Sequence, residues 1–171
     1  FEKSIQRMCF AAFIIFYPGV LATFISAMTR WSSASTIIVV FLLMVFSCDS
    51  VAWLFGMLFG KGNRGFVPAS PNKSIAGFIG GAVAATAVGF LAFKVFPAAF
   101  GKSFSGSLVT GFCTGFAAIV GDLIESIFKR SAEVKDSGAL ILGRGGVLDS
   151  VDSILFAAPV FYLCYRFFIG I

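Results

Sequence analysis

Six of the eight acidic residues, Asp122, Glu125, Glu133, Asp136, Asp149 and Asp152, fall within 31 consecutive positions, and only Glu2 and Asp49 lie elsewhere. Carboxylates are hard oxygen ligands, and a few of them gathered with substrate phosphates make a Mg2+ site. Asp122, Glu125, Ser126 and Lys129 are spaced so that a helix would carry them on one polar stripe. Asp149 and Asp152 repeat the three-residue spacing, so two helices could present Asp122, Asp149 and Asp152 to one metal ion, and Asp49, a carboxylate within an apolar span, is a further functional candidate. Asp149 could equally cap a helix N-terminus, and interhelical ion pairing is the plain alternative for the others. Between the acids lie Lys129-Arg130, Lys135-Asp136-Ser137-Gly138 and Gly143-Arg144-Gly145-Gly146. Glycine turns expose N–H groups there beside fixed positive charge, which suits phosphate, although such loops also contact anionic lipid headgroups. Ser70-Pro71-Asn72-Lys73-Ser74 offers a further lysine with hydroxyls, either a phosphate contact or a helix start with a snorkelling Lys. The chain has no His, so the commonest general base is missing and the chemistry must use carboxylates, Lys, Arg and hard cations.

The elements that hold these residues must sit in lipid. Of 171 residues 58% are hydrophobic, only 12% are charged, and the mean hydropathy is +0.98, whereas a soluble domain is about 25% charged. Five segments reach the roughly 20 apolar residues of a bilayer crossing: Met8–Met28, Thr36–Phe59, Ile75–Phe96, Leu108–Ile127 and Asp152–Ile171. The expected fold is an all-α, polytopic integral membrane bundle. It forms a single transmembrane unit, with an N-terminal span in 1–35 and a core in 36–171 that includes a charged loop at 128–151. The opening at Phe1 suggests a C-terminal fragment of a longer chain. Gly77, Gly81, Ala85 and Gly89, then Gly111 and Gly115, let helix backbones approach closely, for bundle packing or for a homodimer. Cys9, Cys48, Cys113 and Cys164 are widely spaced inside apolar stretches and read as small hydrophobes.

Nine basic residues, Lys3, Arg7, Lys61, Arg64, Lys73, Lys129, Arg130, Lys135 and Arg144, fall on one side of this arrangement, against Arg30, Lys94, Lys102 and Arg166 on the other. The positive-inside rule makes the richer side cytoplasmic, so the 128–151 loop would face cytosolic nucleotides across an inner or plasma membrane. The net charge of +5 therefore reflects topology, and no basic stripe interleaved with exposed aromatics points to nucleic acid.

The run Gly121-Asp122-Leu123-Ile124-Glu125-Ser126-Ile127-Phe128-Lys129-Arg130, with Lys135-Asp136-Ser137-Gly138 and Gly145-Gly146-Val147-Leu148-Asp149-Ser150-Val151-Asp152, resembles the signature of the phosphatidate cytidylyltransferase (CDP-diacylglycerol synthase) family. Asp49-Ser50, Phe59-Gly60-Lys61 and Ser70-Pro71-Asn72-Lys73-Ser74 extend the likeness, which covers about Phe41 to the C-terminus. The resemblance implies a helical membrane enzyme that joins CTP to phosphatidate, giving CDP-diacylglycerol and pyrophosphate, with Mg2+ and a monovalent cation such as K+. By that likeness Asp122, Asp149 and Asp152 are metal carboxylates with Asp49 beside them. Lys73, Lys129, Arg130 and Lys135 hold phosphates, Glu125 and Asp136 orient those cations, and Ser70, Ser126 and Ser137 donate hydrogen bonds. Arg144, Leu142 and Ser150 stand where the signature usually has His, Pro and Arg, and Arg144 is a candidate to supply the positive charge absent at Ser150. The departures keep two alternatives open, a homologue acting on another lipid phosphate and a catalytically inactive partner subunit. A cation-coupled transporter is a third, since intramembrane acids also mark ion pathways.

Overall fold

A computed structural model describes residues 2–134, 137–138 and 146–170; Lys135, Asp136, Leu142 and Arg144 lie outside the described residues. The first crossing is assembled from α1 (Glu2–Ile14), a π-helical turn (Ile15–Val20) and α2 (Leu21–Met28). Pro18 sits inside that turn. It has no N–H to donate and its ring crowds the carbonyl four residues back, so a widened turn is the local solution. The remaining elements are α3 (Ala34–Phe59), α4 (Ile75–Val95), the one-turn α5 (Pro97–Phe100), α6 (Phe104–Ser131) and α7 (Val147–Cys164), which runs on into a second π-helical turn (Tyr165–Gly170).

Five helical segments are long and apolar enough to span a membrane, and the protein is an integral membrane protein. They match the expected crossings, with two boundary corrections that matter for the site. α6 begins before Leu108 and continues past Ile127 to Ser131, and α7 begins at Val147 rather than Asp152. The segment at 128–151 is therefore helical at both ends. Helix persists there because its charged side chains find partners, described below, instead of needing water.

α6 lies centrally, packing on α4 and α7 and, less extensively, on α3; α3 pairs with α4, and α2 leans on α7. Phe41, Met44, Phe100 and Phe161 fill the interior, while Val39, Leu43, Ile79, Val83, Leu91 and Phe116 point outward, as lipid contact requires. The small-residue stripes are consumed within this bundle. A Cβ on Gly111 would lie 2.6 Å from the Ala85 carbonyl oxygen of α4, closer than any real contact. One on Gly121 would lie 2.6 Å from the Phe156 Cβ and 3.1 Å from the Asp152 carbonyl oxygen of α7. Glycine at 121 thus brings Asp122 and Asp152 onto neighbouring backbones.

Candidate active site

A cavity of about 590 Å3 opens between α3, the start of α4, α6 and α7, and Asp49, Asp122, Glu125, Asp149 and Asp152 all line it, with Arg64, Lys73 and Lys129. Each acid is positioned by a different piece of local structure. α4 starts at Ser74, whose hydroxyl accepts the Gly77 N–H at 3.0 Å as an N-cap. Lys73, one residue earlier, reaches across to Asp122 of α6 at 2.7 Å. Four residues after Glu125 on the same helix, Lys129 contacts that carboxylate at 2.5 Å and Asp149 of α7 at 2.7 Å.

Asp149 is the most constrained of the five. It occupies the first turn of α7, where a carboxylate is favoured by the helix dipole, and its Oδ2 accepts the Gly146 N–H at 2.7 Å. The same oxygen accepts the Ser137 N–H at 2.7 Å and the Ser137 hydroxyl at 2.6 Å, while Oδ1 takes Lys129. Chain reversal after α6 makes this possible. Glu133 adopts φ 57°, the left-handed conformation of a helix C′ position, and the Val134 N–H bonds back to the Lys129 carbonyl at 3.0 Å.

Two acids are deeply buried as whole residues, backbone included. Asp152 is 6% exposed and Glu125 is 1% exposed. Lys129 is the ion-pair partner of Glu125, yet neither Glu125 oxygen has a well-directed hydrogen bond among the described residues. A buried charge in that state is costly unless something else completes its shell.

The structure brings Asp49, Asp122, Lys73, Lys129, Asp149 and Asp152 together at one end of the bundle, as the sequence reading expects. It also gives several of these residues protein partners. Asp149, expected as a metal carboxylate, has both oxygens engaged by protein donors, and among the described residues no three acidic or thiol side chains converge as a metal site. Ser126 donates to the Asp122 carbonyl at 2.8 Å, within its own helix. Ser137 is spent on Asp149. Arg130 donates from Nε to the Ala69 carbonyl at 3.3 Å, which ties the end of α6 to the α3–α4 connection. Ser70 shapes that connection, its N–H bonding the Val67 carbonyl and its carbonyl the Lys73 N–H.

Comparison with known proteins gives the family. A family model described as the cytidylyltransferase family matches residues 1–168. The chain belongs to the cytidylyltransferase family. It is 37% identical to a phosphatidate cytidylyltransferase of Haemophilus influenzae over 163 residues, 92% of this chain and 56% of the relative. A phosphatidate cytidylyltransferase of Chlamydia pneumoniae is 40% identical over 116 residues, 64% of this chain and 37% of the relative. One from Staphylococcus haemolyticus is 34% identical over 157 residues, 92% of this chain and 58% of the relative. The chain thus spans between about a third and three-fifths of the length of these relatives.

Two groups of cavity residues escape a reading of this family member by signature alone. Arg64 counts in the sequence only toward membrane orientation, yet it stands on the cavity wall. Phe46, Ser50, Trp53 and Met57 also line it, and their spacing of four, three and four residues puts them on one face of α3. That periodicity was available in the sequence, but α3 is apolar all round and offers no contrast to reveal it.

Proposed function

We propose that this chain carries the catalytic core of a CTP:phosphatidate cytidylyltransferase, transferring CMP to the lipid phosphate to give CDP-diacylglycerol and pyrophosphate. The observation that carries the reading is a single cavity with two chemistries. Its interior holds five carboxylates and three cations, and its α3 wall is apolar and open to lipid, with Trp53 69% exposed and Phe46 and Met57 also exposed. A lipid with an anionic head can lie with its chains in the bilayer and its phosphate in the cavity. The nucleotide arrives from the other side, over the loops, which the positive-inside rule makes cytoplasmic.

The lipid phosphate is an anion at neutral pH and needs no proton removed before it attacks. A phosphate oxygen forms a bond to the α-phosphorus of CTP while the bond from that phosphorus to the bridging oxygen breaks, and the electron pair leaves with pyrophosphate. Positioning and charge neutralisation then account for most of the catalysis, which fits a chain without His. Lys73 and Lys129 lie at the cavity to receive phosphate oxygens, and Asp122, Glu125 and Asp149 hold them in place meanwhile. Asp149 acts through Lys129 and through the Ser137 turn. By the family resemblance Lys135 adds to the phosphate cradle and Asp136 orients it, while Arg144, which departs from the signature, would supply the positive charge absent at Ser150.

The donor set fits a divalent cation. Carboxylates outnumber cations by two on the cavity wall, which would repel CTP, and the Glu125 oxygens lack directed donors. Mg2+ is commonly held by one or two carboxylates plus substrate phosphates, so Asp122 and Asp152, with Glu125 and Asp49 nearby, would hold it. When bound it would neutralise the phosphates and polarise the α-phosphorus. A monovalent cation such as K+ would draw on the same acidic surplus. Ser150, on the cavity wall where the family signature usually has Arg, favours a second reading in which the acceptor is a different lipid phosphate.

The test uses the full-length protein in membranes with Mg2+, phosphatidate and CTP labelled on either the α- or the γ-phosphorus. The expected result is lipid-bound α-label and γ-label released in pyrophosphate. Label from the γ-phosphorus in lipid, or none from either with folded protein and a panel of lipid phosphates, would overturn the proposal.

A further inference from the structure

Lys73 and Lys129 each have a carboxylate partner. The third cation on the cavity wall, Arg64, has no acidic partner among the described residues. Its place is fixed by the backbone rather than by charge. The Asn63 amide donates to the Phe59 carbonyl at 3.0 Å, the Ile75 N–H donates to the Asn63 carbonyl at 3.1 Å, and Arg64 and Ser74 form an antiparallel bridge. The connection between α3 and α4 is thereby closed at its base, with Arg64 directly beside the Lys73–Ser74 turn. Arg64 Nη2 donates to the Gly56 carbonyl at 2.7 Å, one of the carbonyls that the end of α3 leaves free. A Cβ on Gly60 would come within 2.9 Å of Arg64 Nε, so a side chain there would crowd the guanidinium. One bond to a carbonyl leaves most of the five guanidinium donors for a ligand, in a planar fork that suits phosphate.

We propose that Arg64 is a leaving-group clamp, holding the β- and γ-phosphates of the nucleotide and the pyrophosphate they become. The proposal rests on the transfer reaction above. As the bond from the α-phosphorus to the bridging oxygen breaks, negative charge grows on the departing pyrophosphate, so a cation at this end of the cavity is worth more in the transition state than in the bound substrate. Arg64 stands on the loop side of the buried acids, where the distal phosphates of a nucleotide entering from the loops would rest.

Calorimetric titration of the full-length protein with inorganic pyrophosphate and Mg2+ tests this, alongside the CTP assay. Arg64→Ala is expected to weaken pyrophosphate binding by about 10-fold or more, with a parallel loss of product inhibition, and to lower kcat with CTP while leaving the KM for phosphatidate unchanged. Arg64→Lys should recover part of the affinity. If Arg64→Ala fails to fold, Arg64→Gln keeps an N–H donor for the end of α3 and removes only the charge, and it should show the same loss. Pyrophosphate affinity unchanged in a folded Arg64→Ala or Arg64→Gln protein would overturn the clamp, whatever the transfer assay gives. A wild type that binds pyrophosphate through Arg64 yet transfers no CMP would instead retire the reaction and leave the polyphosphate site standing.

Discussion

Lys129 joins two carboxylates from different helices, and the consequence of removing it follows from their burial. Glu125 and Asp149 are 1% and 6% exposed as side chains, and breaking such a pair leaves charge without compensation, at a cost of about 3 kcal/mol or more. Lys129→Met should therefore lower the melting temperature of the purified protein markedly, and adding Glu125→Gln should restore much of it. Failure of the second change to rescue the first would mean that Lys129 acts chiefly through Asp149. Ser137→Ala is expected to be milder. It removes the hydroxyl's bond to Asp149 Oδ2 and the bond that the hydroxyl accepts from the Asp149 N–H at 3.3 Å, keeps the Ser137 N–H bond to Oδ2, and should cost about 1–2 kcal/mol, read by the same melt. The clustering of these acids was legible in the sequence, because carboxylates are rare in apolar chains and these were adjacent. The Glu125–Lys129 pair was legible too, four residues apart on one helix. The pairs Lys129–Asp149 and Lys73–Asp122 were not, because they depend on how separate elements cross, and spacing along one helix says nothing about that.

At the scale of elements, the glycines of α4 and α6 set the distances on which the cavity depends. Gly111→Leu would drive a side chain into the Ala85 carbonyl and is expected to prevent stable insertion of α6 against α4, measured as loss of folded protein in membranes. Gly62→Ala makes the contrast. Gly62 has φ 88° but nothing within 4 Å of the added Cβ, so only backbone strain of about 1–2 kcal/mol is expected, with the protein still folded. Sequence hydropathy located all five crossings. It misjudged α6 and α7 because the rule behind it assumes that charged residues mark the water boundary. Here Lys129 and Asp149 satisfy each other, so the helices continue through residues that look like loop.

For the whole molecule, all the acids of the site lie at one end of the bundle and the apolar face of α3 opens the cavity sideways. The proposed orientation, argued from the positive-inside rule, has that end facing the cytoplasm. Cysteine introduced at exposed Glu133, in a background where reactive native thiols are replaced, should react with a membrane-impermeant maleimide in inside-out vesicles and not in right-side-out ones. The reverse pattern would invert the topology and remove the nucleotide from reach. The measurement that bears most directly on the central claim is formation of CDP-lipid from CTP and phosphatidate by the full-length wild type and by Asp152→Asn in the same membranes. Asp152 is buried in the cavity and has no lysine partner among the described residues, so the change removes one charge without breaking an ion pair. We predict product from the wild type and a loss of about 100-fold or more in the variant at equal folded amounts. Turnover by Asp152→Asn at the wild-type rate would contradict the account.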